Sequence, residues 1–182
     1  YTYPRYVYRK APELAGGATG KPRTVPLIVV GAGPVGLTAA IDAARQAVVA
    51  SKPAAAVVKK QKDTGVWAGN LLGLAASKAT GVKDVGTIPQ YRRLLQMGYP
   101  LTGRPFKLAD RLLFRLLSRD DDPALLFEFR KMAAGDTHAE SWARWVIREA
   151  SCAALAEAGH IEDPRLRGSA HKVASAVSQF LR

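Results

Sequence analysis

A single cysteine, three histidines and the lack of a long uncharged apolar run set the first limits on this chain. Cys152 alone cannot form an intramolecular disulfide or a cysteine-based metal cluster, which fits a reducing compartment. Its setting among alanines in "REASCAALAEAG" marks it as a buried structural thiol. His138, His160 and His171 are scattered without ligand spacing, and no H-E-x-x-H pattern accompanies them, so no metal site is expected. The most apolar window, residues 25–41, is broken by Pro26, Pro34 and small positions and ends at Asp42, so no membrane span is expected. Negative charge is also scarce. Asp and Glu total 15 against 27 Lys and Arg, a net charge of +12. That excess suits a polyanionic or acidic partner, or a basic subunit that neutralises an acidic neighbour in an assembly. The chain starts at Tyr1 rather than Met, which leads us to expect a removed presequence and import into an organelle; a trimmed chain would look the same.

What is present begins with "VVGAGPVGLTAAIDAARQ". Gly31, Gly33 and Gly36 spell G-x-G-x-x-G between an apolar run and a helix-like segment, and the stretch resembles the N-terminus of FAD-dependent aromatic-ring monooxygenases. A dinucleotide fold needs a second strand soon afterwards that ends in an acidic residue for the ribose. Here Pro53 and the run Lys59, Lys60, Lys62 occupy that place, and Asp63 follows only after them. The 182 residues also fall short of a monooxygenase with its substrate domain. A fragment of such an enzyme stays as a remote alternative, and no cofactor is expected.

Residues 1–33 read as an extended arm. Tyr1, Tyr3, Tyr6 and Tyr8 alternate with basic residues there, so the arm lies along a partner's surface or hangs as a free tail. From residue 34 to 182 the pattern is helical and Ala-rich, in about seven to eight helices without an alternating strand. Ser51, Thr87 and Asp121 or Asp122 are expected caps, each followed by an early proline, and Gly65, Gly98 and Gly135 are the stops. "VWAGNLLGLAASKATG" is expected to be the third helix. In "RPFKLADRLLFRLLSR" the leucines form a wide apolar stripe. The acidic triplet Asp120, Asp121, Asp122 opens a helix, where carboxylates favour the dipole, so capping accounts for it without catalysis. The stops lie 33 and 37 residues apart, a period in the thirties with two helices per unit, which is the signature of an α-solenoid.

"ALLFEFRKMAAG" and "AALAEAGHIED" resemble the second-helix and inter-helix patterns of pentatricopeptide-repeat proteins, whose helical hairpins have units near 35 residues. The resemblance implies an all-α fold, a short α-solenoid of pentatricopeptide-like hairpins over residues 34–182. Such arrays bind single-stranded RNA one base per repeat, and the alignment puts Thr38 and Asn70 near the first-helix reading positions; both also read as ordinary helix-start polar residues. In size, repeat number and Ala-rich composition the chain is similar to the small basic pentatricopeptide-type subunits on the F1 head of euglenozoan mitochondrial ATP synthase. That resemblance implies a non-catalytic accessory subunit on the matrix side of the mitochondrion, bound to the ATP synthase α subunit. An organellar RNA-binding or mitoribosome-associated protein is the alternative. Expected partner contacts are the four arm tyrosines, Trp142, and Arg92, Arg93, Arg144 and Arg148. Trp142 and Trp145 lie three apart on one face, so core packing competes with docking there.

Overall fold

A computed structural model of the chain describes residues 31, 33–73, 85–118 and 122–181. Those residues are all-α, with no β-structure among them beyond isolated bridges. No helix among them is long and apolar enough to cross a membrane. Contacts divide the chain into two units, Tyr1–Ala40 and Ile41–Arg182. In the first, only Gly31 and residues 33–40 are described; the expected arm otherwise lies outside the described residues, its four tyrosines included.

Helix α1 spans Pro34–Ala50. Proline in the first turn and six alanines favour the helix without a core to hold it, and none of its residues is buried. Helix α2, Lys52–Lys59, starts as expected: the Ser51 side chain accepts from the Ala54 N–H, and Pro53 sits in the first turn.

Residues 66–73 do not form the expected third helix. Ala68 and Gly69 both have positive φ, the left-handed pair that closes a tight turn between Trp67 and Asn70. This turn is held by tertiary partners. The indole N–H of Trp67, which is 1% exposed, donates to the Val57 carbonyl at 2.8 Å, and its backbone N–H donates to Thr87 Oγ1 at 3.1 Å. Thr87 Oγ1 in turn donates to the Asn70 carbonyl at 2.8 Å. Thr87 therefore works as a clasp between this loop and the next helix, and Gly86 takes the cap position in its place. Gly65 fits the loop against a neighbouring helix so closely that a Cβ there would overlap the Leu108 carbonyl.

Helix α3, Thr87–Gln96, ends as expected with Gly98 at φ +73. Helix α4, Arg104–Ser118, has the largest buried face, with Phe106, Ala109, Leu112, Leu113, Leu116 and Leu117 inward. Asp122 caps the following segment by accepting from the Ala124 N–H, but Pro123–Phe129 is a 3-10 helix. It breaks at Phe127, whose φ of 45 and ψ of −122 are not helical, before the single-turn α5, Arg130–Ala133. The strained residue turns Glu128 toward residues 71 and 72, whose N–H groups its carboxylate accepts at 2.8 and 2.6 Å. Helix α6, Thr137–Glu157, and helix α7, Pro164–Phe180, begin at the capping carboxylates Asp136 and Asp163.

Helix α6 lies at the centre of the second unit's packing: α3, α4, the 3-10 segment, α5 and α7 all touch it, and α4 also touches α7. The core runs through Trp67, Leu71, Tyr91, Leu94, Phe106, Leu113 and Leu155. Tyr91 and Phe106 meet edge to face at 4.9 Å.

Candidate functional site

The face of α4 opposite its leucines is a row of cations. Arg104, Lys107, Arg111 and Arg115 recur at spacings of three and four, so they share one side of the helix, and all four are exposed. Arg104 reaches Asp63 at 2.7 Å, and Arg115 reaches Asp122 at 2.8 Å. Lys107 and Arg111 have no ion pair among the described residues. The Gln61 carboxamide donates to the Pro105 carbonyl at 2.9 Å, which ties the loop after α2 to the first turn of α4. Cations whose fields are not cancelled locally add up, and an approaching anionic surface feels their sum.

A second feature is internal. The Tyr91 hydroxyl donates to Asp110 Oδ1 at 2.6 Å, and His160 Nε2 lies 3.2 Å from Asp110 Oδ2. The His160 ring meets Phe114 edge-on, and the Arg165 guanidinium sits 4.1 Å over the same phenyl ring. These side chains come from α3, α4, the α6–α7 turn and α7, so the network ties those elements to one another. Burial raises the Asp110 carboxyl above its usual range, against the opposing effects of Tyr91 and His160. The Tyr91 hydroxyl is pushed well above its ordinary value by burial and by the adjacent carboxylate.

A third feature is an open apolar groove of about 410 Å³ between α6 and α7. Cys152, 8% exposed, lies on its floor, with alanines on both walls. Burial raises the Cys152 thiol, more than Arg148 lowers it, so the sulfur stays protonated and packs as an apolar group.

The expected contact residues separate under this geometry. Arg92 is taken by Glu157 at 2.8 Å across α3 and α6, and Arg144 is bound to Glu140 and to the Asp122 carbonyl, with 17% of its side chain exposed. Arg148 is half-buried. Arg93 is exposed on α3, and Trp142 is 50% exposed while packing edge-on against Phe129 at 5.9 Å. Trp145 is half-buried. Thr38 is exposed on α1, its hydroxyl turned back to the Pro34 carbonyl at 2.8 Å. Asn70 is on no helix and is 8% exposed. Gly31 and Gly33 have nothing within 4 Å of where a Cβ would stand, so no close backbone approach requires glycine at either position, although Gly31 has φ +104. The ridge is absent from the expected contacts although its spelling, R-x-x-K-x-x-x-R-x-x-x-R, is the complement of the leucine stripe. Among the described residues no three His, Cys, Asp or Glu side chains converge as a metal-ligand set. Compared with protein families, curated proteins and solved structures, the chain matches none.

Proposed function

We propose that this chain is a non-catalytic accessory subunit that docks on the acidic surface of a larger mitochondrial assembly. The observation that carries the reading is the α4 ridge, where Lys107 and Arg111 stand exposed without a partner among the described residues and with further cations on either side. Long basic side chains left unpaired on one helix face gain most from an acidic partner whose carboxylates replace water. Half-exposed Trp142 supplies an aromatic anchor elsewhere on the surface. The partner suggested by the pentatricopeptide resemblance is the α subunit on the F1 head of ATP synthase.

The hairpin form of the fold belongs to the same proposal. In this reading α3 and α4 form one hairpin and α6 and α7 the next. The contacts of α3 with α6, of α4 with α6 and of α4 with α7 support that reading, since stacked hairpins would make contacts of this kind. On this reading the 3-10 segment and α5, which lie between α4 and α6, would be an insertion that lengthens the interval from Gly98 to Gly159 beyond one 35-residue unit.

An organellar RNA or ribosomal partner is the second reading, and the same ridge favours it, because phosphates suit unpaired Lys and Arg as well as carboxylates do. One experiment separates the two. A tagged chain is recovered from gently lysed mitochondria on a gradient, with and without ribonuclease. Comigration with the ATP synthase that survives ribonuclease supports the proposal; comigration lost on ribonuclease treatment supports the RNA reading. Recovery only as a free chain in both arms refutes both.

A further inference from the structure

The segment between α4 and α6 carries the local signs of one continuous helix. Asp122 accepts from the Ala124 N–H at its start, Pro123 sits in the first turn, and Gly135 has φ +81 at its end. Between them residues 124–134 include no glycine, no proline and no β-branched side chain. Yet the run breaks at Phe127, whose φ of 45 and ψ of −122 lie close to the first corner of a type II′ turn, a position that favours glycine. Neither proline, glycine nor serine stands at the break to account for it. The tertiary partner there is Glu128, whose two carboxylate oxygens accept from the N–H groups of Leu71 and Leu72, 57 and 56 residues away. The loop it grips is bent as well. Among the described residues Ala68 and Phe127 are the non-glycine positions with positive φ; one precedes Leu71 in that loop and the other adjoins Glu128.

We infer that residues 123–133 form a two-state latch: while Glu128 holds residues 71 and 72 the segment stays broken, and on release of that carboxylate it closes into one α-helix that swings Phe129 off Trp142. In the continuous helix Phe129 follows Leu125 by one turn and shares its face. In the broken form it is the ring against which half-exposed Trp142 packs, 5.9 Å away. The latch thereby regulates the aromatic anchor proposed for docking. That role rests on the function proposed above, whereas the two states of the segment do not.

The sign of a glycine–alanine comparison at position 127 reads the state. At positive φ glycine is the better residue, and inside a helix alanine is. Both substitutions lose the Phe127 ring, which packs against the core, so the difference between them is one of backbone. In the purified chain Phe127→Gly is expected to have a higher urea midpoint than Phe127→Ala, and adding Glu128→Ala to each is expected to reverse that order. Glycine ahead in both backgrounds overturns the inference, because the break then does not depend on Glu128. Alanine ahead in both overturns it too, because the segment is then never held broken. Glu128→Ala alone is expected to move the α-carbon chemical shifts of residues 125–129 to helical values, a second readout that needs no double variant; unchanged shifts overturn the latch. Acrylamide quenching of Trp142, taken as the difference between chains with and without Trp142→Phe, is expected to rise in the Glu128→Ala chain, and an unchanged value refutes the control of Trp142. All three readings are made on the isolated chain, so their failure is distinct from a failure to sediment with an assembly.

Discussion

Helices α1 and α4 are nearly the same length, 17 and 15 residues, yet α4 buries eight residues and α1 buries none. Both are well-formed helices for different reasons. In α1 the helix follows from alanine content and a proline start; in α4 it follows from leucines spaced to fill a core, a term that intrinsic propensity cannot match. The difference also decides what each exposes. Helix α4 turns a row of cations outward, whereas α1 leaves an apolar seam outward.

The sharpest way to break the comparison is to truncate matched side chains. Phe106→Ala in α4 removes a ring with no exposed surface and is expected to cost about 3–5 kcal/mol in urea denaturation. Leu37→Ala in α1 is expected to stay within about 0.5 kcal/mol. A large loss at Leu37 would mean that α1 is packed. Next in size are two glycines. Gly65→Ala drives a Cβ into the Leu108 backbone of α4 at a positive φ, for an expected loss of roughly 2–3 kcal/mol. Gly98→Ala has a similar φ but open space and should cost about 1 kcal/mol. Equal losses at the two would contradict the close seating of the loop on α4.

A smaller effect is the pH dependence contributed by Asp110. Its carboxyl is raised in the fold, so below the ordinary carboxylate range it is protonated in both states and neutral to stability. As pH rises through that range the unfolded chain ionises first, and stability falls until the folded carboxyl ionises too. Urea midpoints of the wild type and Asp110→Asn between pH 3 and 7 should therefore show the wild type losing ground to the variant as pH rises. The opposite slope would mean that His160 and Tyr91 outweigh burial. Smallest of all, Lys107→Ala should leave stability within about 0.5 kcal/mol, because that side chain is exposed and has no ion pair among the described residues.

Much of the helical framework was legible in the sequence because local chemistry sets it. Ser51 and Asp122 cap where a polar residue precedes an early proline, and Gly98 and Gly135 have positive φ where a helix stops. The leucine stripe of α4 reads directly as its buried face. What could not be read depends on distant partners. Residues 66–73 look helical in composition, but Trp67 gains more by sending its indole N–H to Val57 and its backbone N–H to Thr87. Thr87 resembles a cap until that loop engages it. The break at Phe127 accompanies the reach of Glu128 to residues 71 and 72, and Arg144, expected as a partner contact, is held by Glu140 one turn away and by the Asp122 carbonyl that only the fold brings near. For the proposed docking surface, the cations of α4 were visible in the sequence at regular spacing, but which of them have no ion pair among the described residues is a tertiary fact.

The central claim is that the α4 ridge docks the chain on an acidic assembly, and it is tested most directly by the double variant Lys107→Glu/Arg111→Glu. With tagged wild type and variant compared in the same mitochondrial lysate, the measured quantity is the fraction of each that sediments with the ATP synthase after ribonuclease treatment. The account predicts that the wild type sediments with the complex, the variant stays at the top of the gradient, and the two have the same urea midpoint within about 0.5 kcal/mol. Equal sedimentation of the two chains with the complex would contradict it.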